Sequence, residues 1–359
     1  MVVPVDSRAL RWATLLVLLF TTGALASREA LADTPPSRWD IAKDSGARTR
    51  YELHVRVREL LLLDRQIGRS MRTAALERAR AILEDAHAGT SPDVRLRFDL
   101  GEVYFELGHH DRAIAVLGEA LAQAPDHPAA TEARISLAYA YAKLGRSKEE
   151  RASYQAYLAK ITDDRLRALA ILNMAEAEMH LGDLEESIAS YKEALEIATH
   201  LPNSASSSET AVLALWGLAV ALDRSGDAAA AREQARLAGQ MDPGELIIGH
   251  GVNVFFVPEY EREWYLALAE MAHARDAKKP EDVFVASSRA LDHWTKYVDA
   301  AGDKDRWIAL ARAHQLRAAA AGRAARAKLP KPLPPAPPPP PPPRAAKPAA
   351  PRTPPAPTQ

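Results

Sequence analysis

The chain has 359 residues, of which 47% are hydrophobic and 6% aromatic, so it can form one to three domains with packed cores. Its 46 basic and 47 acidic residues give a net charge of −1, which conceals any local asymmetry. There is no cysteine, which excludes disulfides, a thiolate nucleophile, cysteine-based metal sites and a lipid-modified N-terminal cysteine.

The first 26 residues have the organisation of a secretory signal peptide. Arg8 and Arg11 precede the apolar run "ATLLVLLF" at 13–20, which is short for a bilayer span, and a small-residue cleavage site ends at Ala26. A second such site ends at Ala32, and an uncleaved single-span anchor is the alternative. Arginine outnumbers lysine 34 to 12, as is typical of GC-rich bacterial genomes. We therefore expect export to the bacterial periplasm or cell envelope.

Two segments separate this signal from the first clear repeat. Residues 27–48 are predicted to be flexible. Residues 49–93 show helical periodicity around a turn at Gly68, which predicts a degenerate helical pair.

A pattern of small, large and glycine residues recurs from 94 to 245. Its first copy has Gly101, Tyr104 and Gly108; small residues recur at 138, 175 and 219, and turn glycines at 145, 182 and 226. A small residue lets the second helix of a pair approach the first, the large residue fills the space between them, and glycine ends the first helix. One such pair cannot bury its apolar face alone, so we expect neighbouring pairs to stack.

This pattern resembles the tetratricopeptide repeat, most closely over 101–125. The resemblance implies an all-α solenoid of four helical hairpins over 94–245, with superhelical stacking; an ordinary helical bundle is the alternative. The middle copies depart from the pattern. Glu150 and Ser187 stand where a small alanine is expected, and Glu178 replaces the tyrosine.

In that family the first helix of each pair lines a concave groove that binds partner segments, which implies a set of groove residues here. At the matching positions stand Phe98, Glu102, Phe105, Tyr139, Lys143, Glu176, Met179, Trp216 and Arg224, together with Ile135, Leu172 and Val220. An exposed aromatic set of Phe98, Tyr139 and Trp216 would suit a peptide, although any of these could be buried instead. Glu102 and Glu176 would repel a C-terminal carboxylate, so a basic or apolar segment fits better than the acidic ligand of the chaperone-type clamp.

A short extended insert is predicted near 244–258. The region 246–328 is predicted to comprise this insert, divergent C-terminal helices and a cap. The stretch "GELIIGHGVNVFFVPEYE" is β-branched and aromatic, which favours an extended conformation. Trp264, Trp294 and Tyr297 fit as core anchors of the helices that follow.

Residues 329–359 are rich in proline, which predicts a disordered, extended tail. From 311 to the end there are nine basic residues and no acidic one. The tail could therefore contact peptidoglycan or another anionic surface, or the protein's own acidic body, or simply act as a solubilising end.

The sequence contains no recognisable catalytic or metal motif. The histidines do not form His-Glu-x-x-His, and His250, flanked by glycines, has no identifiable catalytic partner. We therefore expect no enzyme, no cofactor, no metal, no small-molecule substrate and no nucleic acid. The sequence predicts a protein–protein interaction scaffold of the cell envelope. The alternative is a cell-wall-associated structural protein that uses its basic tail.

Overall fold

The computed structural model describes residues 35–63, 69–202, 205–250 and 254–329, and these residues form helices joined by turns and loops, without a strand. Its helices are α1 Arg38–Lys43, α2 Ala47–Leu63, α3 Arg69–Asp85, α4 Val94–Glu106, α5 His110–Gln123, α6 Ala130–Lys143, α7 Ser147–Leu158, α8 Asp164–Leu181, α9 Leu184–His200, α10 Ala205–Ser225, α11 Ala228–Met241, α12 Leu246–His250, α13 Glu261–Asp276, α14 Pro280–Ala301 and α15 Ile308–Arg326. The predicted all-α class and helical-hairpin solenoid are confirmed.

Each predicted hairpin is present as a pair of consecutive helices in contact: α4 with α5, α6 with α7, α8 with α9, and α10 with α11. The four turn glycines 108, 145, 182 and 226 all adopt positive φ, between 65° and 95°. Their lack of a Cβ makes this backbone accessible where the first helix of each pair ends.

The close approach predicted within a hairpin is clearest at Gly101 of α4. A Cβ at this position would lie 2.3 Å from Cδ2 of Leu117 in α5, far inside van der Waals contact. Ala138, Ala175 and Ala219 hold the corresponding positions and are completely buried. Small residues here therefore determine how closely the paired helices pack.

The N-terminal segment predicted as flexible, 27–48, contains a helix among its described residues. Ser37 and Asp40 form a capping box at the start of α1, and α2 begins at Ala47. The short polar cap therefore orders more of this segment than its composition suggested. The predicted signal peptide (1–26 or 1–32) and, beyond Leu329, the predicted tail lie outside the described residues.

The insert predicted as extended near 244–258 is only partly so, and this prediction needs correction. Leu246–His250 is a helix, α12, because the buried carboxylate of Asp242 accepts the backbone N–H groups of Ile247 and Ile248 at 2.9 and 3.2 Å. This capping contact outweighs the strand preference of the two isoleucines. Residues 254–258 are neither helical nor part of a strand.

The C-terminal helices pack against the last hairpin and share its core. Trp216 of α10, Trp264 of α13 and Trp294 of α14 belong to one cluster and are completely buried. Behind them the guanidinium of Arg224, also buried, pairs with Glu261 and stacks over the Trp264 ring at 4.6 Å. Among the described helices, none is long and apolar enough to cross a membrane.

Candidate functional site

The first helices of four successive hairpins meet around a cavity of about 490 Å³. Phe105 of α4, Tyr139 of α6, Leu172 of α8 and Leu213 of α10 each contribute a side chain to its wall. These helices lie far apart in sequence, and the repeated hairpin brings equivalent faces of them together. A cavity that joins equivalent faces of consecutive repeats is suited to a ligand that extends along the solenoid.

The structure brings four of the nine predicted groove residues together in this cavity. Phe105, Tyr139, Lys143 and Glu176 all line it, together with Leu172. The hydroxyl of Tyr139 accepts a hydrogen bond from Nδ2 of Asn173 at 3.2 Å, which fixes the tyrosine on the cavity wall.

Three of the nine lie in the hydrophobic core instead, so they cannot form an exposed binding surface. Phe98 packs with Leu117 and stacks on His127 at 5.0 Å, and Met179 and Trp216 are buried in the large C-terminal cluster. The expectation of an exposed aromatic set is therefore wrong for Phe98 and Trp216. Trp216 is covered because α12 and α13 pack on α10, a long-range contact that a repeat pattern does not reveal.

The remaining two groove residues form ion pairs away from the cavity wall. The carboxylate of Glu102 accepts a hydrogen bond from Nη1 of Arg58 in α2 at 2.7 Å. Arg224 is buried against Glu261. Both side chains therefore join neighbouring elements of the fold.

Residues 254–256 form one side of the cavity, although they are more than 70 residues beyond α8. The Nζ of Lys143 lies 3.3 Å from the centroid of the Phe255 ring, and Phe255 also contacts Tyr139, with ring centroids 6.5 Å apart. Phe256 packs against Tyr265 of α13 at 5.2 Å. The chain thus places a short non-helical segment of its own on the faces of α6 and α13 that border the cavity.

The cavity also contains acidic groups in an environment that disfavours their charge. Burial, with a further contribution from the charge of Glu176, raises the pKa of Glu150 to about 9. Burial also raises the pKa of Glu176 to about 7, with Glu261 acting in the same direction and Arg224 and Lys143 opposing it. Burial raises the pKa of Glu209 as well, and that of Lys143 is lowered, mainly by burial. The neutral form of both carboxyl groups is therefore favoured relative to that of an exposed glutamate.

Glu150 is one of the cavity residues that the predicted groove positions did not include, as are Glu209 and Phe255. It belongs to α7, the second helix of its hairpin, and its sequence signal is its departure from the small residue expected there. The other departures have different outcomes. Ser187 donates its hydroxyl to the carbonyl of Ala175 at 2.8 Å, and Glu178 is buried with its pKa raised, chiefly by burial.

The cavity lining combines apolar side chains with a few ionisable groups. The described lining consists of aromatic and aliphatic side chains, three carboxyl groups, one amine, one amide, the hydroxyl of Thr210 and the backbone of Gly217, and these residues include no histidine, serine or cysteine. The described part of the chain also contains no cluster of histidine, aspartate or glutamate suited to a metal ion. The side chain of His250, the one acid–base candidate of the sequence, lies outside the description.

Two regions of the sequence match tetratricopeptide repeat families, residues 74–135 and residues 168–200. The first match begins within α3, inside the pair predicted to be degenerate, and extends into α6; the second covers most of α8 and all of α9. No curated protein matches the chain significantly.

Several solved structures resemble the chain at low identity. MamA from AMB-1 is 21% identical, with 48% of this chain and 92% of that one covered and a TM-score of 0.40. A tetratricopeptide repeat protein from Parabacteroides merdae is 13% identical, covering 73% and 98%, with a TM-score of 0.43. The tetratricopeptide repeat domain of P58(IPK) is 13% identical, covering 84% and 74%, with a TM-score of 0.35.

Proposed function

We propose that this chain is a non-enzymatic scaffold that binds a segment of a partner protein in the cavity between α4, α6, α8 and α10. The tetratricopeptide repeat matches at 74–135 and 168–200 support this proposal. One observation carries this proposal: Phe105, Tyr139, Lys143 and Glu176, from three successive first helices, line the same cavity. The mixture of aromatic walls with a few charged groups is the usual composition of a specific binding site.

Photo-crosslinking tests the location of binding. Phe105 is replaced by p-benzoylphenylalanine, which preserves an aromatic ring on the cavity wall. Phe284 of α14 is replaced in the same way as the control, since it is also half-buried but lies outside the cavity. We expect a defined protein to be crosslinked from position 105 and not from position 284. Equal crosslinking from both positions, or none from 105, contradicts the proposal.

The affinity of the purified partner for variants of the protein then tests which residues contribute to binding. Tyr139→Ala should weaken binding roughly tenfold or more, because an aromatic anchor is lost from the centre of the site. Tyr51→Ala is the matched control, since Tyr51 is half-buried in α2 and does not line the cavity. Wild-type affinity for Tyr139→Ala would exclude the cavity as the binding site.

The proposal includes export to the periplasm or cell envelope, which is supported by the signal-like sequence of residues 1–32. N-terminal sequencing of protein from a periplasmic fraction should begin at Ser27 or Asp33. Recovery of the intact N terminus in the cytoplasmic fraction would contradict export. Deletion of 330–359 tests the alternative structural role, since only that role requires the basic tail for cell-wall association.

A further inference from the structure

Acidic side chains outnumber basic ones in the cavity lining. Three carboxyl side chains border it, those of Glu150, Glu176 and Glu209, and Lys143 is the one basic residue in the described lining. The Lys143 ammonium lies against the Phe255 ring. The cavity therefore has unused capacity for a cation.

Glu150 provides an independent observation. It is only 5% exposed and lines the cavity, and its carboxyl group forms no hydrogen bond or ion pair with any described residue. Native proteins pair nearly all of their buried polar groups, so a carboxyl group that lines a cavity and lacks a protein donor must be satisfied by what enters the cavity. A carboxyl group in this position has its oxygens available for a donor supplied from the cavity.

Glu176 is similarly available from the neighbouring helix. Its carboxyl group accepts no hydrogen bond from a described residue, although it is close enough to Arg224 and Lys143 for both charges to affect its pKa. Arg224 is already paired with Glu261. An incoming cation between Glu150 and Glu176 would interact with two carboxyl groups on successive hairpins.

The apolar wall fits the rest of a basic side chain. Tyr139 and Tyr154 meet edge to face, with ring centroids 6.3 Å apart, and Leu172 lies on the same cavity wall. Aliphatic stems pack well on such surfaces, and tyrosine faces attract cations.

We propose that this cavity binds an ammonium or guanidinium group on an aliphatic stem, supplied by a lysine or arginine of the partner segment and held between Glu150 and Glu176. This rests on the proposed function, because it names the chemistry of the segment that the scaffold binds. The bound cation replaces the donor that Glu150 lacks, and the stem lies along Tyr139 and Leu172.

Binding of the cation should be linked to protons. A cation stabilises the charged carboxylates, so Glu150 and Glu176 release protons when it binds near pH 7. Affinity should therefore rise from pH 6 to pH 8, while a lysine ligand remains charged. The titratable and charged groups facing the site are Tyr139 and Lys143 from α6, Tyr154 from α7, Tyr191 from α9, Glu209 from α10 and Tyr265 from α13, with the Arg224–Glu261 pair beyond Glu176.

The test uses the full-length chain and small probes at millimolar concentration. The probes are Nα-acetyl-lysine-N-methylamide, its arginine counterpart, the norleucine counterpart as an uncharged control, and cadaverine as a free amine. Binding is followed by NMR of ¹³C-labelled glutamate carboxyls and by calorimetry in two buffers of different ionisation enthalpy. We expect the capped lysine or arginine to bind at least about tenfold more tightly than norleucine, with proton release on binding.

The same binding measurements are then made on the double variant Glu150→Gln/Glu176→Gln and on the control variant Glu149→Gln. Glu149 is adjacent to Glu150 but is an exposed partner of Arg146, so its loss should leave binding unchanged. The double variant should weaken binding of the capped lysine at least about tenfold. Equal binding of lysine and norleucine, or no binding of the capped lysine and arginine, overturns the inference without relying on any variant.

Two further outcomes are informative. One distinguishes a partner side chain from a free amine as the source of the cation, and the other distinguishes the cation site from the scaffold function. If cadaverine binds with the same carboxyl dependence and the capped lysine and arginine do not, the assignment to a partner side chain is wrong. If crosslinking from position 105 still captures a specific partner and the double variant binds that partner normally, the scaffold function stands and the cation site fails.

Discussion

The imidazole of His314 in α15 places Nε2 2.9 Å from Oδ2 of Asp223 in α10, across 91 residues of sequence. The same carboxylate oxygen accepts a hydrogen bond from Nε1 of Trp264 at 3.1 Å. His314 also stacks on Trp294, with ring centroids 4.8 Å apart. One buried acidic side chain thus joins three helices of the C-terminal core.

His314→Ala should therefore destabilise the protein substantially. It removes a hydrogen-bond partner from a buried carboxylate and leaves a void against Trp294, for an expected loss of about 2–4 kcal/mol in the free energy of unfolding. Leu316→Ala is the control, since Leu316 is on the same helix but largely exposed. Urea unfolding measures both, and equal midpoints would show that the contact contributes nothing.

Gly101→Ala and Gly118→Ala should change stability in opposite directions. At 101 the added methyl group collides with Leu117, which predicts a loss of about 1–3 kcal/mol. At 118, in the interior of α5, nothing lies within 4 Å of a new Cβ, and the better helix propensity of alanine should stabilise by up to about 1 kcal/mol. Thermal unfolding of the two variants checks the sign, and a stabilising change at 101 would contradict close helix packing there.

The stability gained by Glu150→Gln should depend on pH. The folded-state pKa of Glu150, about 9, lies above its unfolded value. Below the unfolded pKa the carboxyl is protonated in both states, and as pH rises towards 9 the unfolded state increasingly gains by ionising. Wild-type stability is therefore lost relative to the glutamine variant, by up to about 1.4 kcal/mol per pH unit.

Denaturant unfolding at several pH values between 5 and 8 measures this difference. The neighbouring Glu149→Gln should not reproduce it, because the hydrogen bond from Arg146 lowers the pKa of Glu149. A stability difference between Glu150→Gln and wild type that stays constant over this range would mean that Glu150 ionises normally in the folded protein.

Trp216→Ala should decrease the stability of the fold, because Trp216 is a core residue and not a residue of the cavity wall. Trp216 is completely buried and its Nε1 donates to Asp242 at 3.4 Å, so its loss should decrease stability by about 3–5 kcal/mol. Trp39→Ala removes a tryptophan that is 77% exposed and should be neutral. Circular dichroism melting compares them, and a wild-type midpoint for Trp216→Ala would contradict a core role.

The sequence was sufficient for the features that depend on neighbouring residues. The left-handed backbone at Gly108 and the small residue at 101 follow from hairpin geometry, and both are found where the repeat pattern placed them. The helix at Leu246–His250 was not foreseen because it depends on a cap from Asp242.

The candidate site was only partly predictable for a similar reason. Positions 105, 139, 143 and 176 follow from the groove that the repeat resemblance implies, whereas the burial of Trp216 depends on C-terminal helices outside the repeat pattern. Phe255 reaches the cavity from a segment without repeat character. In the sequence, Glu150 is notable only because it replaces the small residue expected at its position. Its place in the cavity follows from tertiary packing, which the repeat pattern does not describe.

The uneven placement of tryptophan has a practical consequence for spectroscopy. The four tryptophans at 216, 264, 294 and 307 all lie in the C-terminal half, and none occurs between residues 40 and 215. Hairpins of a solenoid contact mainly their neighbours and can unfold separately. Intrinsic tryptophan emission will therefore follow the loss of the C-terminal core, while melting of α2–α9 passes almost unseen unless a tryptophan is introduced there.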